Sequence, residues 1–189
     1  MKIDVGLLEK FDSHLADKKI EYSASIIGGT AILLIANSSR VTGDVDSLTK
    51  IPEEIKNEIA DFAKKEGISA NWFNDNASRN FSEFVIKGED LFIKEVFKGR
   101  ALKLYAPSIQ TLLLSKIYPM LDRAALGYDL EDIETLITAG FVSEIDMKQA
   151  LDVFKTRIRF EDEHEQRKMS WELVKVLDSF IASSFIHEK

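Results

Sequence analysis

Two apolar runs, Tyr22 to Ile27 and Ala31 to Ala36, meet at Gly28-Gly29-Thr30, and no other feature constrains the fold of this chain as much. The first run reads as a short strand ending at the glycines. The second is too short for periodicity to separate strand from helix. A glycine turn precedes it and the polar Asn37-Ser38-Ser39 ends it, which predicts a short buried helix. Two glycines between a strand and a helix let the backbone turn sharply and approach a ligand closely. The helix behind them offers unpaired N–H groups and a positive dipole end, a setting that suits phosphate.

Asp44-Val45-Asp46 begins fourteen residues after Thr30, on a strand predicted from Asp44 to Thr49. Residues i and i+2 of a strand point to one face. Asp44 and Asp46 then aim both carboxylates at one point, with Val45 in the core behind them. Two like charges so close repel unless a cation sits between them or one is protonated. Mg²⁺, or Mn²⁺ in its place, is the expected cation, because Mg²⁺ takes one or two carboxylates plus substrate phosphates. Neither Gly-Gly nor Asp-x-Asp is specific alone, since the first is commonly a plain turn; their order and spacing carry the signal.

The remaining pattern divides the chain. Asp4 to Lys18 is an amphipathic helix with Leu7, Leu8, Phe11 and Leu15 on one face. Pro52 opens a second helix that runs to Glu66 and stops at Gly67. Asn71 to Asn76 reads as a loop with two aromatic anchors, and strands from Leu91 to Phe97 and Ala101 to Tyr105 meet at Gly99. Beyond Pro107 only helices fit: Ser108 to Leu126, bent at Pro119 and capped by Gly127; one capped by Asp129 and ending at Gly140; then 143–159 and 163–185. An α/β half, 1–106, is therefore followed by a helical half, 107–189.

Composition removes several function classes. The 189 residues include no cysteine, which excludes disulfide scaffolds, thiolate zinc sites and cysteine nucleophiles. Twelve Phe and two Trp supply apolar area that disordered chains lack. No apolar run reaches the roughly 18 residues of a membrane span, and Met1 to Val5 lacks the features of a signal peptide; a cytoplasmic protein with no membrane partner is expected. Net charge is 25 − 32 = −7, and neither half is basic, so strong unspecific nucleic-acid binding is not expected. The three histidines have no ligand-spaced partner, no serine sits in a nucleophile elbow, and Gly28-Gly29-Thr30 lacks the lysine of a P-loop.

The strand, Gly28-Gly29-Thr30, short helix and Asp44-x-Asp46 together resemble the nucleotidyltransferase superfamily signature. Arg40, Thr42, Asp44 and Asp46 resemble the Arg-x-Thr-x-Asp-x-Asp variant of its minimal members, among them the AbiEii-like toxins of type IV toxin–antitoxin systems. Trp72-Phe73-Asn74 is similar to a Trp-Leu-Asn element in some of those families. Pro107-Ser108, Lys116, Arg123 and Asp129-Leu130-Glu131-Asp132-Ile133 are similar to a later helix-and-helix-start pattern. The motifs span 26–137. The resemblance implies a nucleotidyltransferase-fold mixed sheet with flanking helices and a C-terminal helical bundle. It implies transfer of a nucleoside monophosphate from an NTP to an RNA or protein acceptor, with a cognate antitoxin as a further partner. Asp44 and Asp46 would hold the metal, and Gly28, Gly29, Thr30, Arg40 and Thr42 would sit at the nucleotide.

Lys116 and Arg123 lie seven apart, on one helix face. Facing the Asp44/Asp46 cleft they would hold the triphosphate; the alternative for each is a solvated helix charge. Asp129 and Asp132 suit a helix start, and Asp129 has a second reading as a partner of Lys116 or Arg123. One departure stands out. Active members carry a third carboxylate on a later strand, and Ala101 to Tyr105 has no acid. Glu95 is the candidate third acid, with Glu83 behind it, against edge exposure as the plainer explanation of Glu95. Without a third acid, the alternative is a degenerate member that binds nucleotide, nucleic acid or a partner protein; an interaction module whose helices dock a partner is a third reading.

Overall fold

The computed structural model describes residues 3–37, 42–80, 91–121, 127–158 and 164–185. The chain divides into two compact units, Met1–Ser108 and Ile109–Lys189. In the described residues the first unit holds three α-helices, α1 (Val5–Lys18), α2 (Gly28–Ala36) and α3 (Glu53–Glu66). Its five strands are β1 (Tyr22–Ile27), β2 (Val45–Ser47), β3 (Phe73–Asn74), β4 (Lys94–Lys98) and β5 (Leu102–Ala106), in one mixed sheet of order β3-β2-β1-β5-β4. β1 runs antiparallel to β2 and parallel to β5, β2 is parallel to β3, and β4 is antiparallel to β5. This is the α/β architecture expected for the first half.

Local chemistry explains the boundaries. Asp4 caps α1 by accepting from the Leu7 N–H at 2.9 Å, and the helix ends at Lys19 in the left-handed region. Glu53 and Glu54 open α3 and Lys64 and Lys65 close it, each charge matched to its dipole end, before Gly67 stops it at φ +67°. Phe11 of α1, Phe62 of α3, Trp72 and Phe73 form an aromatic cluster, with Phe11 edge-on to Trp72 at 5.2 Å. Trp72 is fully buried. The stretch expected to be a loop is thus partly strand: Phe73 and Asn74 pair with Val45 and Asp46, and the Val45 N–H donates to the Trp72 carbonyl at 2.7 Å. Burying two large aromatic rings pulls this segment onto the sheet edge.

Buried Asp12 ties α1 to the β4–β5 turn. Its carboxylate accepts from the backbone N–H groups of Arg100, Ala101 and Leu102 at 3.1, 2.7 and 2.8 Å. Burial pushes its pKa up, but those three N–H groups and the Arg100 charge outweigh it and hold the carboxyl below its ordinary value.

The second unit contains α4 (Ile109–Ile117), α5 (Gly127–Thr138), α6 (Glu144–Ile158) and α7 (His164–Ser184). α4 stops two residues before Pro119 and tightens into a 3₁₀ turn, Tyr118–Leu121, since proline cannot donate to a continuing helix. Gly127 opens α5 instead of closing the previous helix as expected. Leu113, Leu114, Ile117, Leu136, Met147 and Phe154 are fully buried in this helical core. Among the described residues no helix is long and apolar enough to cross a membrane.

Candidate functional site

The junction of β1, α2 and β2 builds the site. β1 enters α2 directly at Gly28, whose φ of +73° is open to glycine at little cost. Asp46 pairs with Ile27, the residue before Gly28. A Cβ on Gly28 would stand 2.9 Å from Asp46 Oδ2. The glycine therefore makes room for the carboxylate. α2 has no side-chain cap at its N-terminus, so its first N–H groups keep the character that suits an anion. Gly29, half-buried in the first turn, is not at positive φ.

β2 is shorter than predicted and begins at Val45. Val45 and Ser47 are buried, Asp46 half-buried and Asp44 exposed just before the strand. The buried Thr30 hydroxyl donates to the Asp44 carbonyl at 2.6 Å, and the Thr42 hydroxyl donates to the same oxygen at 3.3 Å. Thr42 is itself pinned through its carbonyl to the Ile3 N–H at 2.9 Å. The hydroxyl expected at phosphate is thus turned to the backbone of Asp44, and both threonines fix the loop that carries the first carboxylate. Asp46 Oδ1 accepts from Asn74 Nδ2 at 3.1 Å. Arg40 lies outside the described residues.

Glu95 does not join this cluster, which corrects its expected role as third acid. It lies on edge strand β4, three strand spacings from β2, or roughly 14 Å at about 4.8 Å per spacing. Glu95 is exposed, 3.6 Å from Lys98 Nζ, and its Oε2 accepts from the Tyr105 hydroxyl at 3.5 Å. Nor does it share a face with Phe97. Glu95 pairs with Tyr105 but Phe97 with Leu104, because a bulge lies between them and shifts the alternation. On β5 the residues paired with β1 on the Asp46 face are Lys103 and Tyr105, opposite Ser23 and Ser25. Among the described residues no group of three His, Asp or Glu side chains is placed to hold a metal. Glu83 lies outside the described residues.

In the second unit, Lys116 is buried and not a solvated charge. Its Nζ is 2.6 Å from Asp132 Oδ2 and 3.4 Å from Asp129 Oδ1. Asp132 was expected to cap a helix; it is instead fully buried against Lys116. Asp129 is the third residue of α5 and also faces Lys116, as its second reading held. Arg123 lies outside the described residues.

Asp44 and Asp46 are the residues that could hold a divalent cation. Two carboxylates on one backbone stretch, beside an uncapped helix start and a cradle kept open by Gly28, match a cation that takes few protein ligands and completes its shell with water and phosphate. Sequence reasoning missed Asn74 as a partner of Asp46; its only signal was the Trp-Phe-Asn similarity. No curated protein and no solved structure matches the chain. The family model described as "Nucleotidyltransferase of unknown function (DUF6036)" matches residues 6–179, and the chain belongs to that family.

Proposed function

We propose that the chain transfers a nucleoside monophosphate from an NTP to a hydroxyl of an RNA or protein acceptor, releasing pyrophosphate. The observation that carries this reading is the fit between Gly28 and Asp46 at the uncapped start of α2. Asp44 and Asp46 would hold Mg²⁺ or Mn²⁺. When bound, the cation neutralises triphosphate charge and lowers the pKa of the acceptor hydroxyl. The first N–H groups of α2, at Gly28, Gly29 and Thr30, bind phosphate oxygens. Thr30 and Thr42 hold the Asp44 backbone in place. Arg40 is the cation proposed for the triphosphate; Lys116 is held by Asp129 and Asp132 within the helical unit. A toxin role with a cognate antitoxin belongs to the same proposal and rests on the Arg-x-Thr-x-Asp-x-Asp similarity.

The test is incubation of the full chain with each labelled NTP, Mg²⁺ and a cell extract. Label should pass to RNA or protein, and Asp44→Ala should abolish the transfer. One observation favours a second reading, nucleotide binding without chemistry: no third acid joins Asp44 and Asp46 among the described residues. Nucleotide binding with no labelled product from any NTP would establish that reading and refute the transferase.

A further inference from the structure

Asn74 holds the second carboxylate of the site through a bond whose direction is determined from both ends. Its Oδ1 accepts from the Asn76 N–H at 3.0 Å, so its Nδ2 is the end that faces Asp46 Oδ1 at 3.1 Å. A flipped amide would set N–H against N–H at one end and oxygen against carboxylate at the other. Nδ2 also reaches the Asn71 carbonyl at 3.5 Å.

The backbone around Asn74 is anchored on both sides. Before it, Trp72 and Phe73 are buried in the aromatic cluster. After it, Asp75 accepts from the Ile51 N–H at 3.0 Å and lies 3.4 Å from Lys56 Nζ. Parallel pairing places Asn74 beside Asp46. A half-buried amide held this firmly, donating to a carboxylate, is built to fix the rotation of that carboxylate.

We propose that Asn74 is a positioning residue for Asp46, holding one carboxylate oxygen so that Asp44 and Asp46 meet a divalent cation as a preorganised pair. The proposal rests on the Asp44/Asp46 metal site proposed above. Hydrogen-bond partners of metal ligands commonly contribute 10–100-fold in metal affinity. Asn74 lines an open cavity of about 360 Å³ with Lys56, Asn71, Asp75 and Asn76, so an isosteric apolar residue is accommodated there without disturbing the core.

The experiment measures Mn²⁺ affinity by calorimetry, with a nonhydrolysable ATP analogue present, for the full chain and for Asn74→Leu, Asn74→Ala and Asp46→Ala. Melting temperatures are recorded beside them. Selective ¹⁵N-asparagine labelling follows the Asn74 side-chain amide. Both Asn74 variants should bind Mn²⁺ about 10–100-fold more weakly and melt within a few degrees of the parent. The Asn74 amide protons should exchange slowly in the parent and faster in Asp46→Ala. Unchanged Mn²⁺ affinity in both Asn74 variants, with binding abolished in Asp46→Ala, would overturn the Asn74 role and leave the metal site standing. Amide exchange indifferent to Asp46→Ala would overturn it too. Absence of Mn²⁺ binding by the parent chain would overturn the metal site itself and this proposal with it.

Discussion

Gly28→Ala is the sharpest single perturbation of the site, because two separable effects meet there. The backbone sits at φ +73°, and an L-residue in the left-handed region costs about 1–2 kcal/mol. The new Cβ would also stand 2.9 Å from Asp46 Oδ2, closer than real Cβ atoms come to any such neighbour. The carboxylate is the softer partner, so it swings away and gives up its bond to Asn74. That bond is half-buried, so about 1 kcal/mol is a fair value, below the range for charged pairs. The sum is about 2–3 kcal/mol, or roughly 4–12 °C in melting temperature for a chain of this size. Mn²⁺ affinity should fall with it. A double-mutant cycle with Asp46→Ala separates the two effects. With the carboxylate gone only the strain remains, so the double variant should be about 1 kcal/mol more stable than the two single losses added together. Strict additivity, or a Gly28→Ala protein that keeps its Mn²⁺ affinity, would refute the steric link between Gly28 and Asp46.

Two further predictions concern buried charges. The folded-state pKa of Asp12 is depressed, so its stabilisation is fully present above the unfolded carboxyl value and is lost as pH falls through the folded one; the unfolding free energy of Asp12→Asn from urea titrations should lie about 2–4 kcal/mol below the parent at pH 7, from the weakening of three N–H bonds to a charge, and the gap should narrow as pH falls below about 4. A gap independent of pH would refute the assignment. Lys116→Met removes the ammonium that faces two buried carboxylates, a loss of about 3–5 kcal/mol that thermal melts would register. Unchanged stability with weakened NTP binding would instead show that the ammonium serves phosphate and not the fold.

The order of elements was legible because each boundary carried local chemistry. Gly67 ends α3, and Pro119 turns α4 into a 3₁₀ turn. β3 was not legible, since its two residues are strand only through partners on β2 and through aromatic burial, neither of which a local pattern records. The bulge between Glu95 and Phe97 was equally hidden: plain alternation gives residues two apart one shared face, and a single irregularity sends these two to opposite ones. At the site, Asp46 and Gly28 were legible as types and spacing. Which glycine needs its missing side chain was not. The motif offers both glycines alike; the positive φ and the close approach to Asp46 belong to Gly28. Lys116 was visible as a cation seven residues from Arg123, but its burial between two acids depends on a helix that begins eleven residues later.

What joins these observations is a division of labour across β2. One face is held by the interior: Val45 is fully buried and paired with Phe73, which packs on Trp72 and Phe11. Because side chains alternate along a strand, a fixed Val45 fixes Asp46 on the other face, and the same register brings Asn74 beside it. Asp44 precedes the strand and lacks that support, and it is there that Thr30 and Thr42 both turn their hydroxyls to its carbonyl. Each acid of the pair is therefore held by a different device, one by sheet register and a side-chain amide, the other by two threonines on its backbone. An Asp-x-Asp that served only as surface charge would need neither. That both are present argues that the position of these two carboxylates, and not merely their charge, is what this part of the chain is built to specify.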